Sequence, residues 1–589
     1  MILISLRVNT RLPILIMGET GCGKTSLIRY LANICGVAFE VFSIHAGTDE
    51  HLIKERIKEA SHNARKLNKN QYWLFLDEIN TCDHLGLITS AICHRFCQGI
   101  QMPPNLILLA ACNPYRLRKT DAIMTAGLQG LKIKTDELSR LVYRVHPLPE
   151  TLIDYVWDYG SLSKSDEKSY IFKMISSLFQ TSWFTELFAC LLDMSQKFVR
   201  SAEINEYCVS LRDVDRCRRL VKWFNEFLEK KDSCQYSCID EDIRIRNMKA
   251  IILGLAVCYH SRFPIGSVRC TYRKAISDIV LSNGFKFSEA DILNIVLKEQ
   301  EDILHRMTDL PEGTALNTAL QENVFMLLVC ILSKIPIFLV GKPGCSKSLS
   351  MQLIRSNLRG KDSTDVLFKD MPQLFCVSFQ GSESSTSDGI IKVFEKAEKY
   401  QLHNDEKDVL SVVILDEIGL AEISRFNPLK VLHGLIEPAN GKDLNIAVVG
   451  ISNWALDAAK MNRAIHLSRP DMDLQELKYT GKSISSSIMK KKKQMKVGNI
   501  NLQSHDKKHS LWEEKLNKLL EGLAEGYHEY CSKEKRYQHF HGLRDFYSLI
   551  KYVGRKIDDI GRCDDDDLSE IILTGILRNF GVFQQSSNI

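Results

Sequence analysis

The sequence predicts an α/β chain of two tandem modules, each a parallel-sheet core followed by a helical lid. Three observations predict it. A strand–loop–helix pattern occurs twice, as PILIMGETGCGKTSLIRYL from Pro13 and as PIFLVGKPGCSKSLSMQLI from Pro336. Two later apolar runs end in adjacent carboxylates, YWLFLDEIN at Asp77–Glu78 and VVILDEIGLAE at Asp416–Glu417. Behind each comes another run ending in an asparagine at nearly the same spacing, LILLAACNP at Asn113 and IAVVGISNW at Asn453. A fourth pair follows in the same order, SLRDVDR with Arg212 and GLRDFYS with Arg544. Short apolar runs of this kind suit strands covered on both faces of a parallel sheet. Their alternation with helical stretches predicts a doubly wound core.

Taken in order, the chain opens on MILISLRVNTRLPILIM, which is apolar but interrupted by Arg7 and Arg11 and has no small-residue cleavage site. It reads as the lead-in to a buried strand. The first core is assigned to residues 1–150. From 151 to 310 the alternation is lost and the pattern is mainly helical. There LRDVDRCRRLVKWFNEFL puts Leu211, Val214, Val221, Phe224 and Leu228 on one helical face. The second core is assigned to 311–475 and the second lid to 476–589. Within that lid, KKKK at Lys490–Lys493 sits in a polar, Ser-rich stretch and reads as a solvated basic insertion. DDDD at Asp564–Asp567 reads as a loop or a helix start.

Composition bounds the function. The chain has 589 residues, 45% hydrophobic and 25% charged, as in an ordinary globular protein. Its 77 basic and 72 acidic residues leave a net charge of only +5, so neither nucleic acid nor an anionic membrane is expected as the main partner. No apolar run reaches membrane-spanning length. Eighteen cysteines without a regular framework point to a reducing, cytoplasmic setting. The group Cys82, His84, Cys93, His94 and Cys97, and the pair Cys234 and Cys238, lack the C-x2-C spacing of a zinc site and read as thiols. No RING-like series of cysteine pairs occurs.

The motifs carry phosphate chemistry. Gly18, Gly21 and Gly23 let backbone N–H groups wrap phosphates ahead of a helix N-terminus. Lys24 reaches the β- and γ-phosphates, and the Thr25 hydroxyl suits Mg2+. Asp77 is expected to hold the magnesium shell, Glu78 to orient and polarise the attacking water, and Asn113 to help hold that water. The second copy offers Gly341, Gly344, Lys347 and Ser348, with Asp416 for the metal and Glu417 and Asn453 for the water. Only Ser346 departs, standing where a glycine is expected; it adds a Cβ but keeps its N–H. Arg212 and Arg544 begin lid helices and are expected to reach back to phosphate, the alternative being a surface pair with the neighbouring Asp. Arg140 and Arg463 each precede what reads as the last core strand, the place of an arginine finger serving a neighbouring site, with Arg469 a competitor in the second copy. A guanine-reading motif is approximated only by a misplaced SKSD at Ser163–Asp166, so ATP is the expected nucleotide.

This combination resembles the AAA+ ATPases, and its tandem arrangement resembles the dynein- and midasin-like giants. The strings GKPGCSKSLS, ILDEIGLAEIS, GLIEP, GISNWALDAAKMNRAIHLSRPD and GLRDFYSLIK resemble the mysterin-type AAA+ RING ubiquitin ligases, over essentially the whole chain. Ser346 is part of that pattern. The resemblance implies ATP binding and hydrolysis in a ring-like array, with neighbouring AAA+ modules and the ubiquitin machinery as partners. It also implies roles around lipid droplets and intracellular pathogens, and a chain that is a fragment or truncated gene model, with ligase chemistry elsewhere. In dynein-like arrays each nucleotide lies between its own module and the next. That would bring Arg463 to the first site and leave Arg140 for an upstream module. Two other readings are a nucleotide-gated scaffold with little turnover and a remodelling motor without ligase activity.

Overall fold

The computed structural model describes the chain apart from residues 46, 68–69, 98, 118–140, 161, 180, 204–207, 233–239, 309, 312, 425–426, 438–443, 497–505, 534–540, 561–564 and 582–589. The apolar lead-in is a helix, Ile2–Thr10, that runs into the buried strand Ile14–Met17. Ile4 and Val8 are buried, and a spacing of four puts both on one helical face. Arg7, one turn on from Ile4, donates to the Tyr155 carbonyl at 2.9 Å and lies over the Trp157 ring at 4.0 Å.

The first sheet contains β1 (Ile14–Met17), β2 (Ala38–Ser43), β3 (Tyr72–Asp77), β4 (Leu106–Cys112) and β5 (Val156–Asp158). All pairings are parallel and the order is β2-β3-β4-β1-β5. Its last strand therefore lies past the boundary expected at 150. The run LVYRVHPLP, expected to supply that strand, stays outside the sheet. Leu141 makes an isolated bridge to Leu117, and Tyr143 and Val145 are buried with Ala459 of the second module. Two reasons are visible. Pro147 and Pro149 have no N–H for a ladder, whereas β5 is held in place by Arg7 on Trp157.

The second sheet repeats the plan with β6 (Ile337–Val340), β7 (Gln373–Gln380), β8 (Val409–Asp416), β9 (Ala447–Ser452) and β10 (Ile465–Ser468). Its parallel order, β10-β6-β9-β8-β7, is that of the first sheet read from the other edge. In both, the strand feeding the phosphate loop lies beside the strand ending in asparagine. The carboxylate pair comes from the strand beyond.

The helices of the first lid do not form a separate body. Leu187, Phe224 and Ile252 of that lid share one apolar core with Phe325, Leu339 and Val412 of the second module. The helix Thr318–Leu332, buried on nearly every side, carries the core across. The expected lid face is there, with Val214, Val221, Phe224 and Leu228 buried.

The second lid comprises Leu474–Lys496, Asp506–Lys533, Leu543–Ile560 and Asp565–Phe580. The stretch read as a solvated insertion starts as packed helix, because Leu477, Ile484 and Ile488 recur at helical spacing and are buried. Lys490–Lys493 fall within that helix. The acidic run opens the last helix, where negative charge is favourable; Asp564 lies outside the described residues. Cys82 is buried, Cys93 and Cys97 are half-buried, and Cys234 and Cys238 lie outside the described residues. Among the described residues no helix is long and apolar enough to cross a membrane.

Candidate nucleotide sites

Both loops turn from strand to helix through the left-handed region. Gly21 (φ 80°) and Gly344 (φ 94°) leave no room for a side chain: a Cβ would stand 2.8 Å from Ser210 Oγ in the first and 2.7 Å from Leu543 Cβ in the second. The start of the lid helix is packed directly on the loop. Gly23 and Ser346, each preceding the lysine, have φ of 88° and 59°. A Cβ on Gly23 would meet nothing within 4 Å. The serine is therefore a matter of backbone preference alone, costing about 1–2 kcal/mol, and it leaves the cradle open. Glu78 and Glu417 also sit at positive φ, 56° and 50°, each donating its N–H to the preceding aspartate, at 3.0 and 2.9 Å. Strained non-glycine backbone of this kind concentrates at functional sites, and here the repeat extends to the strain.

The first loop opens on a cavity of about 850 Å³ lined by residues of both modules. Lys24 Nζ donates to the carbonyls of Gly18 at 2.6 Å and Glu19 at 3.0 Å, and lies 3.4 Å from Asn113 Oδ1. Thr25 Oγ1 donates to Asp77 Oδ2 at 2.7 Å. Burial and the neighbouring Glu78 charge push the Asp77 carboxyl up, against the pull of Thr25 and Lys24. A hydroxyl beside a half-buried carboxylate is a donor set that fits a divalent cation.

Across the cavity stand groups of the second module. Arg463 reaches Glu78 Oε1 at 3.2 Å, His433 Nδ1 lies 2.5 Å from Glu78 Oε2, and Asn113 Nδ2 approaches Oε1 at 3.4 Å. Burial works to raise the Glu78 carboxyl, but the hydrogen bond from His433 and the charge of Arg463 outweigh it and hold the group well below its usual range. His433 is pushed down to about 4, by burial first and by Arg463 next, so its ring is neutral at pH 7. Glu437 gathers the arginines: Arg212 at 2.7 Å, Arg463 at 3.5 Å and Arg216 at 3.8 Å.

The second loop opens on a smaller cavity of about 310 Å³, lined by residues from Pro311 to Lys551 and, among the described residues, by none of the first module. Lys347 Nζ donates to Gly341 O at 2.6 Å, Lys342 O at 3.0 Å and Asn453 Oδ1 at 3.1 Å. Burial pushes its ammonium down. Asn453 Nδ2 donates to Glu417 Oε2 at 2.9 Å. Ser348 is exposed beside Asp416 in the cavity wall. Arg544 is exposed too, without an ion-pair partner among the described residues. Arg469 is buried and committed to Glu322 together with Arg269, so it serves the second core rather than a neighbour.

Family models tie both sites to one lineage. A model of the RNF213 AAA domain matches residues 1–116 and another matches residues 313–476. The chain is also 35% identical over 98% of its length to the E3 ubiquitin-protein ligase RNF213 of Mus musculus. The same identity holds over 93% of the chain for the Homo sapiens protein and over 98% for E3 ubiquitin-protein ligase rnf213-beta of Danio rerio. The chain is a mysterin-type, RNF213-family AAA+ protein. It spans 11% of the length of each of those three relatives.

In this RNF213-type pair the structure gathers Gly21, Gly23, Lys24, Thr25, Asp77, Glu78, Asn113, Arg212 and Arg463 about one cavity, with Gly18 behind Lys24. Around the other it gathers Gly344, Ser346, Lys347, Ser348, Asp416, Glu417, Asn453 and Arg544, with Gly341 behind Lys347. Arg140 lies outside the described residues. Arg212 pairs with Glu437 and leaves the neighbouring Asp213 to Arg216. His433 and Glu437 were missed by motif reading, although GLIEP contains one of them and begins just after the other. No local pattern says that this segment faces another module's carboxylate.

Proposed function

We propose that this RNF213-family pair binds and hydrolyses ATP with Mg2+ at the first site, and binds ATP at the second. The observation that carries the reading is Arg463 of the second module, 3.2 Å from Glu78 across the boundary. The first module's loop N–H groups and Lys24 receive the phosphates. Thr25 and Asp77 would hold Mg2+, which neutralises charge developing on the phosphate oxygens. Glu78 orients and polarises the attacking water with Asn113 beside it. Arg463 turns from Glu78 to the γ-phosphate, and Arg212 from Glu437 to the phosphate tail. Removing such an arginine costs ~10³–10⁵ in turnover.

The second site has its loop, its carboxylates and Asn453, and among the described residues its wall holds no group of the first module. The relatives are named as E3 ubiquitin-protein ligases. We assign the ATPase part to these residues, and association with neighbouring AAA+ modules, the ubiquitin machinery and lipid droplets to the larger assembly.

Nucleotide occupancy and turnover in Lys24→Ala and Lys347→Ala test this. Turnover lost with Lys24→Ala, with ATP still held by the second site, is the expected result. Turnover that survives Lys24→Ala and vanishes with Lys347→Ala would reverse the assignment.

A further inference from the structure

We infer that His433 of the second module is a positioning residue for hydrolysis at the first site. Its imidazole fixes one oxygen of Glu78 so that the other can face the attacking water. The inference rests on the reading of the first site as an ATPase site.

His433 lies on the short helix Leu432–Ile436 and is buried, with Nδ1 2.5 Å from Glu78 Oε2. Its Nε2 has no hydrogen-bond partner among the described residues. This pattern fixes the tautomer. A neutral ring with its proton on Nε2 would bury an unpaired N–H and turn the Nδ1 lone pair against a carboxylate. With the proton on Nδ1 the ring donates to Glu78, and only an acceptor is left unused.

The two oxygens of Glu78 are held by different kinds of group. Oε1 is shared by Arg463 and Asn113, Oε2 is taken by His433. A γ-phosphate competes for a guanidinium far better than for a neutral imidazole, because the charge-assisted bond is about twice as strong. Arrival of nucleotide therefore draws Arg463 away and leaves Oε1 with only the long approach of Asn113, while His433 stays. A carboxylate released on one oxygen and clamped on the other has a defined direction for accepting a proton from water, the geometric condition for general-base work. The second site contrasts with this, since Glu417 is oriented by Asn453 of its own module. The direction of Glu78 thus depends on the second module being docked.

The test is single-turnover ATP hydrolysis and ATP binding by the full chain in a Glu417→Gln background. His433→Ala is expected to lower the rate about 10²-fold with ATP Kd changed less than twofold. His433→Asn, whose amide N–H falls near the place of Nδ1, recovers most of the rate. His433→Gln, which reaches the place of Nε2, does not. Equal losses of rate, binding and thermal stability in all three variants would mean a merely structural histidine and overturn the inference. So would an unchanged or faster rate in His433→Ala. Should that variant fail to fold, the Asn and Gln variants decide by the same contrast. Absence of turnover in the unmutated chain would overturn the ATPase reading itself, a failure that this control alone reveals.

Discussion

At the first site Glu78 is met by Arg463 and His433 from the neighbouring module, and Arg212 is spoken for by Glu437. At the second, Glu417 is held by Asn453 of its own module, and Arg544 stands exposed. The loops, carboxylates, asparagines and even the positive φ of both glutamates match. What differs is the source of the closing wall. Within this chain the first site is walled by both modules, whereas the described residues that wall the second belong to its own module.

The sharpest way to break this comparison is Arg463→Ala. First-site turnover should fall by ~10³–10⁵, about 4–7 kcal/mol in the barrier, with ATP affinity largely kept and second-site occupancy unchanged. An unaltered rate would remove the idea of a site shared between modules. The loop glycines come next. Gly21→Ala and Gly344→Ala should each weaken nucleotide binding at their own site and destabilise by more than the ~1 kcal/mol of a left-handed alanine alone, because each Cβ would strike the lid. Gly23→Ala should cost only that amount, read by chemical denaturation.

The paired lid arginines sharpen the contrast further. Arg212→Ala should lower stability by about 1–3 kcal/mol, since it strips a partner from Glu437 in the module boundary. Arg544→Ala should stay within about 0.5 kcal/mol and affect only nucleotide affinity at the second site. Equal effects on stability would show that the boundary is not energetically distinct. Smallest is Ser346→Gly, expected to stabilise by about 1 kcal/mol without changing occupancy, as measured by denaturation and ligand binding.

Local features were legible in the sequence, and contacts between modules were not. The two loops, the Asp–Glu pairs, the strand-end asparagines and the lid arginines each arise from a few consecutive residues whose backbone role is dictated by type. The resemblance to dynein-like arrays directed Arg463 towards the first site, where the structure puts it. By contrast, β5 is three residues long and its pairing is secured by Arg7, a residue distant in the chain. LVYRVHPLP is apolar because Tyr143 and Val145 face the second module, so apolarity alone misassigned it to the sheet. The opening helix escaped because an apolar run shorter than ten residues fits strand and helix alike. His433 and Glu437 carried no signal of their own, since Glu78 and Arg212, which they meet, belong to the first module.

The apolar core that runs from the first lid through Thr318–Leu332 into the second sheet has a consequence for inheritance. A lid fused to the next module's core cannot be exchanged, duplicated or lost by itself without exposing a broad greasy face. Recombination that respects the motif repeat would cut through this core. The durable unit of descent is therefore staggered against the repeat: a first lid with the module that follows it, offered to whichever loop precedes them.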